Sequence, residues 1–115
     1  MGTPYKYGGE TKNGVDCSAL VQNVYESLGI NLPRTSNQQY TYTISIPDKQ
    51  RKPGDLLFFK TGGRINHVGI YIGDDTMVHA SSSRGVVKED INGTIYRRYF
   101  ASRYVGTGRI PGYQN

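Results

Sequence analysis

A single segment of the chain has apolar residues at the spacing of a long helix. Most of the remaining sequence is therefore predicted to form strands and turns. That spacing is carried by Leu20, Val21, Val24 and Leu28. Asp16 is a typical helix N-cap, and Gly29 suits the position just after a helix end. We therefore predict a helix from about Cys17 to Leu28.

Shorter patterns organise the rest of the chain. A second, short helix capped by Thr35 or Ser36 is predicted over residues 37–41. Apolar or alternating runs predict strands at residues 56–60, 67–72 and 77–80, and one or two further strands from Val86–Val87 and the stretch 96–104. The connections are expected to be turns at residues 53–55 and 73–75, with irregular loops at 3–15 and 61–66. One main helix followed by an antiparallel meander indicates an α+β fold.

Length and composition limit the architecture further. The chain has 115 residues, which fits one domain over residues 1–115. Its longest aliphatic or aromatic run, Leu56 to Phe59, falls far short of the roughly 20 apolar residues of a membrane helix. We also expect no signal peptide in this chain, since no basic start precedes an apolar stretch. The single cysteine excludes a disulfide framework within the chain.

The chain is basic, with 14 Lys and Arg against 9 Asp and Glu and a net charge of +5. This balance favours anionic partners such as nucleic acid, membrane surfaces or bacterial cell wall, although solubility alone is the simplest explanation. Nucleic-acid binding would be favoured if Lys49, Lys52, Arg97 and Arg98 shared one face away from Cys17. We expect neither nucleic-acid binding nor membrane insertion.

Three side chains are candidates for a nucleophile or base near neutral pH: Cys17, His67 and His79, the only cysteine and the only histidines. A lone cysteine is usually a small buried hydrophobe. Cys17, however, falls in the first helical turn, where unpaired backbone N–H groups are expected to lower the pKa of its thiol. The negative charge of Asp16 partly opposes this lowering. The same N–H groups are expected to receive the oxyanion of an acyl intermediate.

The two histidines fall on neighbouring predicted strands. His67 is expected to start a strand at the end of the sheet, and His79 lies on the next one, so that one imidazole can orient the other. A plain two-residue turn at Asp74-Asp75 would place them on opposite faces of the sheet. We therefore predict a bulge or a three-residue loop in this hairpin.

The same residues have an alternative interpretation as a metal site. Cys17, His67 and His79 with a water molecule would make an open zinc site. The sequence has no C-x-x-C or H-x-x-x-H pair, which disfavours it. We expect no metal and no cofactor.

Six ordered blocks that span most of the chain resemble the NlpC-type cell-wall cysteine endopeptidases, a papain-like family of bacteria and phages. The blocks are G-T-P-Y-K-Y-G-G (residues 2–9), V-D-C-S-A-L-V (15–21), L-P-R-T-S (32–36), P-G-D-L-L-F-F (53–59), H-V-G-I-Y-I-G (67–73) and V-H-A-S (78–81). The resemblance implies a papain-like core in which the helix that begins near Cys17 packs on an antiparallel sheet. The sequence departs from the common block by having Ala19 where the family has glycine.

The resemblance also implies roles for individual residues. Cys17 would be the nucleophile, His67 the general base and acid, and His79 the residue that orients His67. Tyr5 matches a family tyrosine whose hydroxyl lies near the nucleophile. Residues expected to line the substrate groove are Asp16, Ser18, Ser81 and Ser82, of which the first two match positions that bind the free amino end of a stem peptide.

The expected activity is thiol-dependent, metal-independent hydrolysis of peptidoglycan stem peptides, most simply between γ-D-glutamyl and a diamino acid, diaminopimelate or lysine. The alternatives are an amidase or transferase with the same cysteine and histidines, and a catalytically silent wall-binding domain. The resemblance further implies a monomeric catalytic part of a longer bacterial or phage protein that acts outside the cytoplasm.

Overall fold

The predicted first helix, α1, spans Cys17–Glu26 in the computed structural model, which describes residues 10–11, 14–81 and 84–112. Asp16 caps it as predicted, because its carboxylate accepts the backbone N–H of Ala19 at 2.9 Å. Ala19 is itself fully buried, so the extra methyl group is accommodated where the helix meets the sheet. Beyond the end of the helix, Gly29 adopts a φ of +81°, a conformation that favours glycine.

The short second helix is also confirmed. This helix, α2, spans Ser36–Tyr42. Thr35 is its N-cap and forms a capping box with Gln38, in which each side chain bonds to the other residue's backbone N–H. The box explains why a seven-residue helix of modest intrinsic propensity forms here.

An antiparallel sheet of six strands forms the centre of the molecule, in the order β3-β8-β4-β5-β6-β7. The strands are β3 (Ile44–Ile46), β4 (Leu56–Thr61), β5 (Arg64–Gly73), β6 (Thr76–Ser81), β7 (Gly85–Asp90) and β8 (Tyr104–Arg109). A separate pair, β1 (Glu10–Thr11) and β2 (Gly14–Val15), lies in the region expected to be irregular, so that expectation is wrong for these four residues. With α1 and α2 beside the sheet, the predicted α+β class is confirmed.

The polar loop predicted for residues 61–66 is wrong, because β4 and β5 pair almost to their tips. Thr61 pairs with Arg64, which leaves Gly62 and Gly63 as the turn, both with positive φ. His67 consequently lies inside β5 instead of starting a strand. Two consecutive glycines permit this tight connection, since they adopt positive φ without steric cost.

The predicted bulge between β5 and β6 is confirmed. Asp74 and Asp75 form a two-residue turn with φ of 51° and 53°. The pairing register shifts between Tyr71 and Gly73, so that Ile72 is the extra residue on β5. The shift changes the parity of the ladder and brings His67 and His79 to the same face.

The strand predicted within residues 96–104 is wrong. A helix, α3, spans Thr94–Tyr99, and a 3-10 turn follows at Ala101–Arg103. Tyr96 and Phe100 are one helical turn apart, and both rings pack against Phe59, with centroids 6.0 and 5.6 Å away. This aromatic contact overrides the strand propensity of the segment.

Both faces of β4 are buried, as predicted. Leu56 and Phe58 face α1, where they pack with Val21, Tyr25 and Val68. Leu57 and Phe59 point the other way, into a second cluster with Met77 and Tyr96. Truncating a buried phenylalanine to alanine typically costs about 3–5 kcal/mol, so this strand is central to stability. None of the helices in the described part of the chain is long and apolar enough to cross a membrane.

Candidate active site

Cys17 is the first residue of α1 and lies against the backbone of β5. Its side chain is buried, and its sulfur is 3.8 Å from the carbonyl oxygen of Asn66. The backbone of Val68 also interacts with the thiol. Cys17 is therefore held beside the strand segment that carries His67.

The expected lowering of the thiol pKa is wrong for the resting site. Burial raises the pKa of Cys17, and the carboxylate of Asp16 raises it further. Hydrogen bonds from the backbone of Val68, Ser18 and Cys17 itself act in the opposite direction but do not outweigh burial. The neutral thiol is therefore the resting form, and an adjacent base is needed to remove its proton.

His67 and His79 are brought into direct contact, as the predicted bulge requires. Nε2 of His67 is 2.9 Å from Nδ1 of His79. The His67 ring also stacks on Phe100, with centroids 5.5 Å apart. Burial, followed by the neighbouring His79, lowers the pKa of His67 to about 3, so this imidazole rests in its neutral form.

His79 is completely buried and is held from its other side by a carboxylate. Its Nε2 is 3.2 Å from Oε1 of Glu89, and Glu89 forms an ion pair with Arg84. Burial lowers the pKa of His79 more than the hydrogen bond and charge of Glu89 raise it. The four side chains thus form a row of hydrogen bonds that runs from His67 through His79 and Glu89 to Arg84.

This row assigns the proton positions on both imidazoles. The Glu89 carboxylate can only accept, so Nε2 of His79 carries a proton and its Nδ1 is a bare acceptor. Nε2 of His67 must then donate to that acceptor. Nδ1 of His67 is left with its lone pair, which is what a base requires.

Sequence reasoning missed Glu89 and Arg84. A charged residue on a strand normally indicates a solvent-facing position, yet Glu89 is buried. The two-residue period of β7 was the signal that could have found Glu89. His79 pairs with Val87 and Met77 pairs with Glu89, so the side chains of His79 and Glu89 lie on the same face of the sheet. Extending the predicted strand at Val86–Val87 by two residues would have placed a carboxylate near His79.

The predicted groove residues Asp16 and Ser18 lie next to Cys17 and contact each other. The Ser18 hydroxyl donates to Oδ1 of Asp16 at 3.3 Å. Arg34, which sequence reasoning also missed, pairs with Asp16 at 2.9 Å and donates to Ser18 at 2.8 Å. Together with Cys17 and Asn66, these residues line a cavity of about 600 Å³.

A second cavity, of about 610 Å³, lies on the His67 side of the site. The predicted groove residue Ser81 lines it, and its hydroxyl accepts the backbone N–H of Arg84 at 3.3 Å. Two further predicted site residues, Tyr5 and Ser82, lie outside the described residues.

The geometry argues against the alternative zinc site. Both ring nitrogens of His79 are hydrogen bonded, one to His67 and one to Glu89, so neither is free to bind a metal. Within residues 10–11, 14–81 and 84–112, no three His, Cys, Asp or Glu side chains are grouped as metal ligands.

Known proteins resemble this chain over nearly its whole length. The sequence model of the NlpC/P60 family matches residues 2–109. The probable endopeptidase p60 of Listeria monocytogenes is 42% identical over 110 residues, which cover 96% of this chain and 22% of that protein. The gamma-DL-glutamyl hydrolase of Bacillus subtilis is 43% identical over 117 residues, covering 96% of this chain and 27% of that protein. The chain therefore spans about a quarter of the length of these relatives.

The fold leads to the same family. A crystal structure of an NlpC/P60 family protein from Bacillus cereus superimposes with a TM-score of 0.85 at 33% identity, covering 95% of this chain and 36% of that one. The family match extends over nearly the whole sequence and the architecture is shared, so this chain belongs to the NlpC/P60 family.

Proposed function

We propose that this chain is the catalytic domain of a peptidoglycan hydrolase, a cysteine endopeptidase that cleaves stem peptides between γ-D-glutamyl and a diamino acid. The observation that carries the proposal is the His67–His79 hydrogen bond of 2.9 Å, on the strand whose backbone contacts the buried thiol of Cys17. The relatives support it, since one is named a probable endopeptidase and another a gamma-DL-glutamyl hydrolase. A silent wall-binding domain has no need of this row of buried hydrogen bonds.

In the proposed reaction, Nδ1 of His67 takes the proton of the Cys17 thiol as the sulfur attacks the amide carbonyl. Backbone N–H groups of Cys17 and Ser18, at the start of α1, hold the oxyanion, and Tyr5 contributes its hydroxyl as family resemblance implies. The imidazolium then protonates the leaving amine and a thioester forms. His67 next removes a proton from water, which hydrolyses the thioester and restores the thiol.

The resting pKa values determine the order of these events. The pKa of Cys17 is raised and that of His67 is lowered to about 3, both mainly by burial. The neutral thiol and imidazole are therefore more stable at rest than a thiolate–imidazolium pair. Proton transfer accompanies attack on the substrate, and His79 with Glu89 stabilises the imidazolium that forms.

Substrate binding is assigned to the two cavities. Asp16 and Ser18 bind the free amino end of the stem peptide on the Cys17 side, where Arg34 holds the carboxylate in place. Ser81 lines the cavity that contains His67, and Ser82 is assigned to the substrate groove from the sequence. The proposed enzyme is monomeric, needs no metal or cofactor, and acts on the cell wall outside the cytoplasm as part of a longer protein.

The test is digestion of purified peptidoglycan by this chain and by its Cys17→Ala variant, with the fragments identified by mass spectrometry. We expect soluble fragments with a freed diamino-acid amine, released by the wild type with or without EDTA and absent with the variant. Matched circular dichroism spectra would show that the variant is folded. Release of fragments by Cys17→Ala would overturn the assignment of Cys17 as the nucleophile. A folded wild type that reacts with iodoacetamide but releases no fragments would overturn the proposed substrate and favour an amidase or transferase.

A further inference from the structure

Two cavities with different charges adjoin the candidate site, one lined by Cys17 and the other by His67. The cavity that contains Cys17 is lined by one carboxylate, Asp16, which is paired with Arg34, and by a second arginine, Arg64. The cavity that contains His67 is lined by three arginines, Arg84, Arg98 and Arg103. No Asp or Glu is among the residues described as lining this second cavity.

The proposed reaction decides which part of the substrate occupies each cavity. Cys17 becomes bonded to the acyl part, so that part lies on the cysteine side. His67 delivers its proton to the leaving amine, so the residue that carries this amine lies on the histidine side. The arginine-lined cavity therefore receives the leaving residue.

Two of the three arginines retain an unbalanced charge. Arg84 is paired with Glu89. Arg103 donates to the carbonyl oxygen of Tyr99, and among the described side chains no carboxylate pairs with Arg103 or with Arg98. The same cavity has an apolar wall that includes Ile95 and Phe100. A ligand that fits these surroundings has an aliphatic stem that ends in a negative group.

We propose that this cavity is a leaving-side subsite that selects a residue with a carboxylate at the end of an aliphatic side chain, and that Arg98 and Arg103 are its specificity determinants. The inference rests on the proposed function and deepens it. Of the two diamino acids considered, diaminopimelate carries such a carboxylate, whereas the lysine side chain ends in an ammonium group alone. The arginines attract the first and repel the second.

A set of L-Ala-γ-D-Glu-X peptides tests the subsite. X is diaminopimelate, diaminopimelate with its side-chain carboxyl amidated, diaminopimelate with its main-chain carboxyl amidated, or lysine. We expect kcat/KM for the diaminopimelate peptide to exceed that for the side-chain amide and for the lysine peptide about tenfold, with little effect of the main-chain amide.

Arg98→Gln, and more strongly Arg98→Gln with Arg103→Gln, should reduce this preference. Arg97→Gln is the matched control, because Arg97 is exposed on the same helix but does not line the cavity.

The outcomes separate this inference from the proposed function. Equal hydrolysis of all four peptides, or a preference that Arg98→Gln and the double variant leave unchanged, would overturn the subsite while the proposed function stood. A fall in kcat/KM confined to the peptide with the main-chain amide would overturn the proposal that the subsite binds the side-chain carboxylate. Hydrolysis of none of the peptides would refute the proposed function and the subsite with it.

Discussion

Replacing Glu89 by glutamine removes one negative charge from the row of hydrogen bonds behind His67 and leaves the shape of the side chain almost unchanged. The Glu89 carboxylate accepts a hydrogen bond from Nε2 of the fully buried His79, and His79 in turn accepts from His67. The amide oxygen of glutamine can still accept from Nε2. The substitution therefore tests the charge and not the packing.

The size of the effect follows from the kind of hydrogen bond that is lost. A hydrogen bond to a charged group contributes about 1.5–3 kcal/mol, against about 1 kcal/mol between neutral groups. The imidazolium formed during attack would thus lose about 0.5–2 kcal/mol of stabilisation, which corresponds to a fall in kcat/KM of about 2- to 30-fold. The assay is hydrolysis of the diaminopimelate peptide described above, with a urea titration to show that the variant is folded.

The pH profile distinguishes an electrostatic role from a merely structural one. The carboxylate of Glu89 raises the pKa of His79, in opposition to burial. Without that charge the two histidines bind a proton less tightly, so the acid limb of the kcat/KM profile should move to lower pH. Glu26→Gln, which removes the same charge from an exposed position at the end of α1, should leave that limb unmoved. A Glu89→Gln variant with kcat/KM within twofold of wild type and an unmoved profile would refute the reasoning.

Two further predictions concern the histidines. His67→Ala should lower kcat about 10²- to 10⁴-fold. His79→Gln should lower kcat distinctly less, because an orienting residue is easier to replace than a base. Equal losses of kcat in single-turnover assays would contradict the assigned roles. Stability should also fall on acidification. Burial lowers the pKa of His67 from 6.5 to about 3, so between these values the unfolded chain binds a proton that the folded chain excludes. The free energy of unfolding should then drop by about 2 kcal/mol between pH 7 and pH 5 through this group, and His67→Gln, compared by urea titration, should lose that share of the pH dependence.

Local signals in the sequence were sufficient for the elements that carry the candidate site. Asp16 caps α1 because a short acidic side chain satisfies the free N–H groups of the first turn, which needs no distant partner. The bulge near Asp74 could be predicted from strand parity once His67 and His79 were required to share a face. Such features depend on the backbone and on nearby residues, so they can be predicted without knowledge of the tertiary structure.

The features that were mispredicted depend on contacts between distant parts of the chain. Residues 94–99 form a helix because Tyr96 packs on Phe59, which no local pattern shows. The thiol pKa of Cys17 is raised because the core closes over the start of α1, and the helix terminus alone predicted the opposite direction. Glu89 was missed because its burial beside His79 requires the β6–β7 pairing.

The bulge at Ile72 is the point at which the fold determines the chemistry. Val68 and Ile70, on the α1 side of β5, belong to the core, while His67 faces the aromatic cluster of Phe59 and Phe100. Without the extra residue, His79 would face the α1 side of the sheet, opposite to His67. His67 would then lose the acceptor that keeps its Nδ1 free of a proton. The inserted residue therefore sets the register in which His67 and His79 are hydrogen bonded, as the proposed mechanism requires.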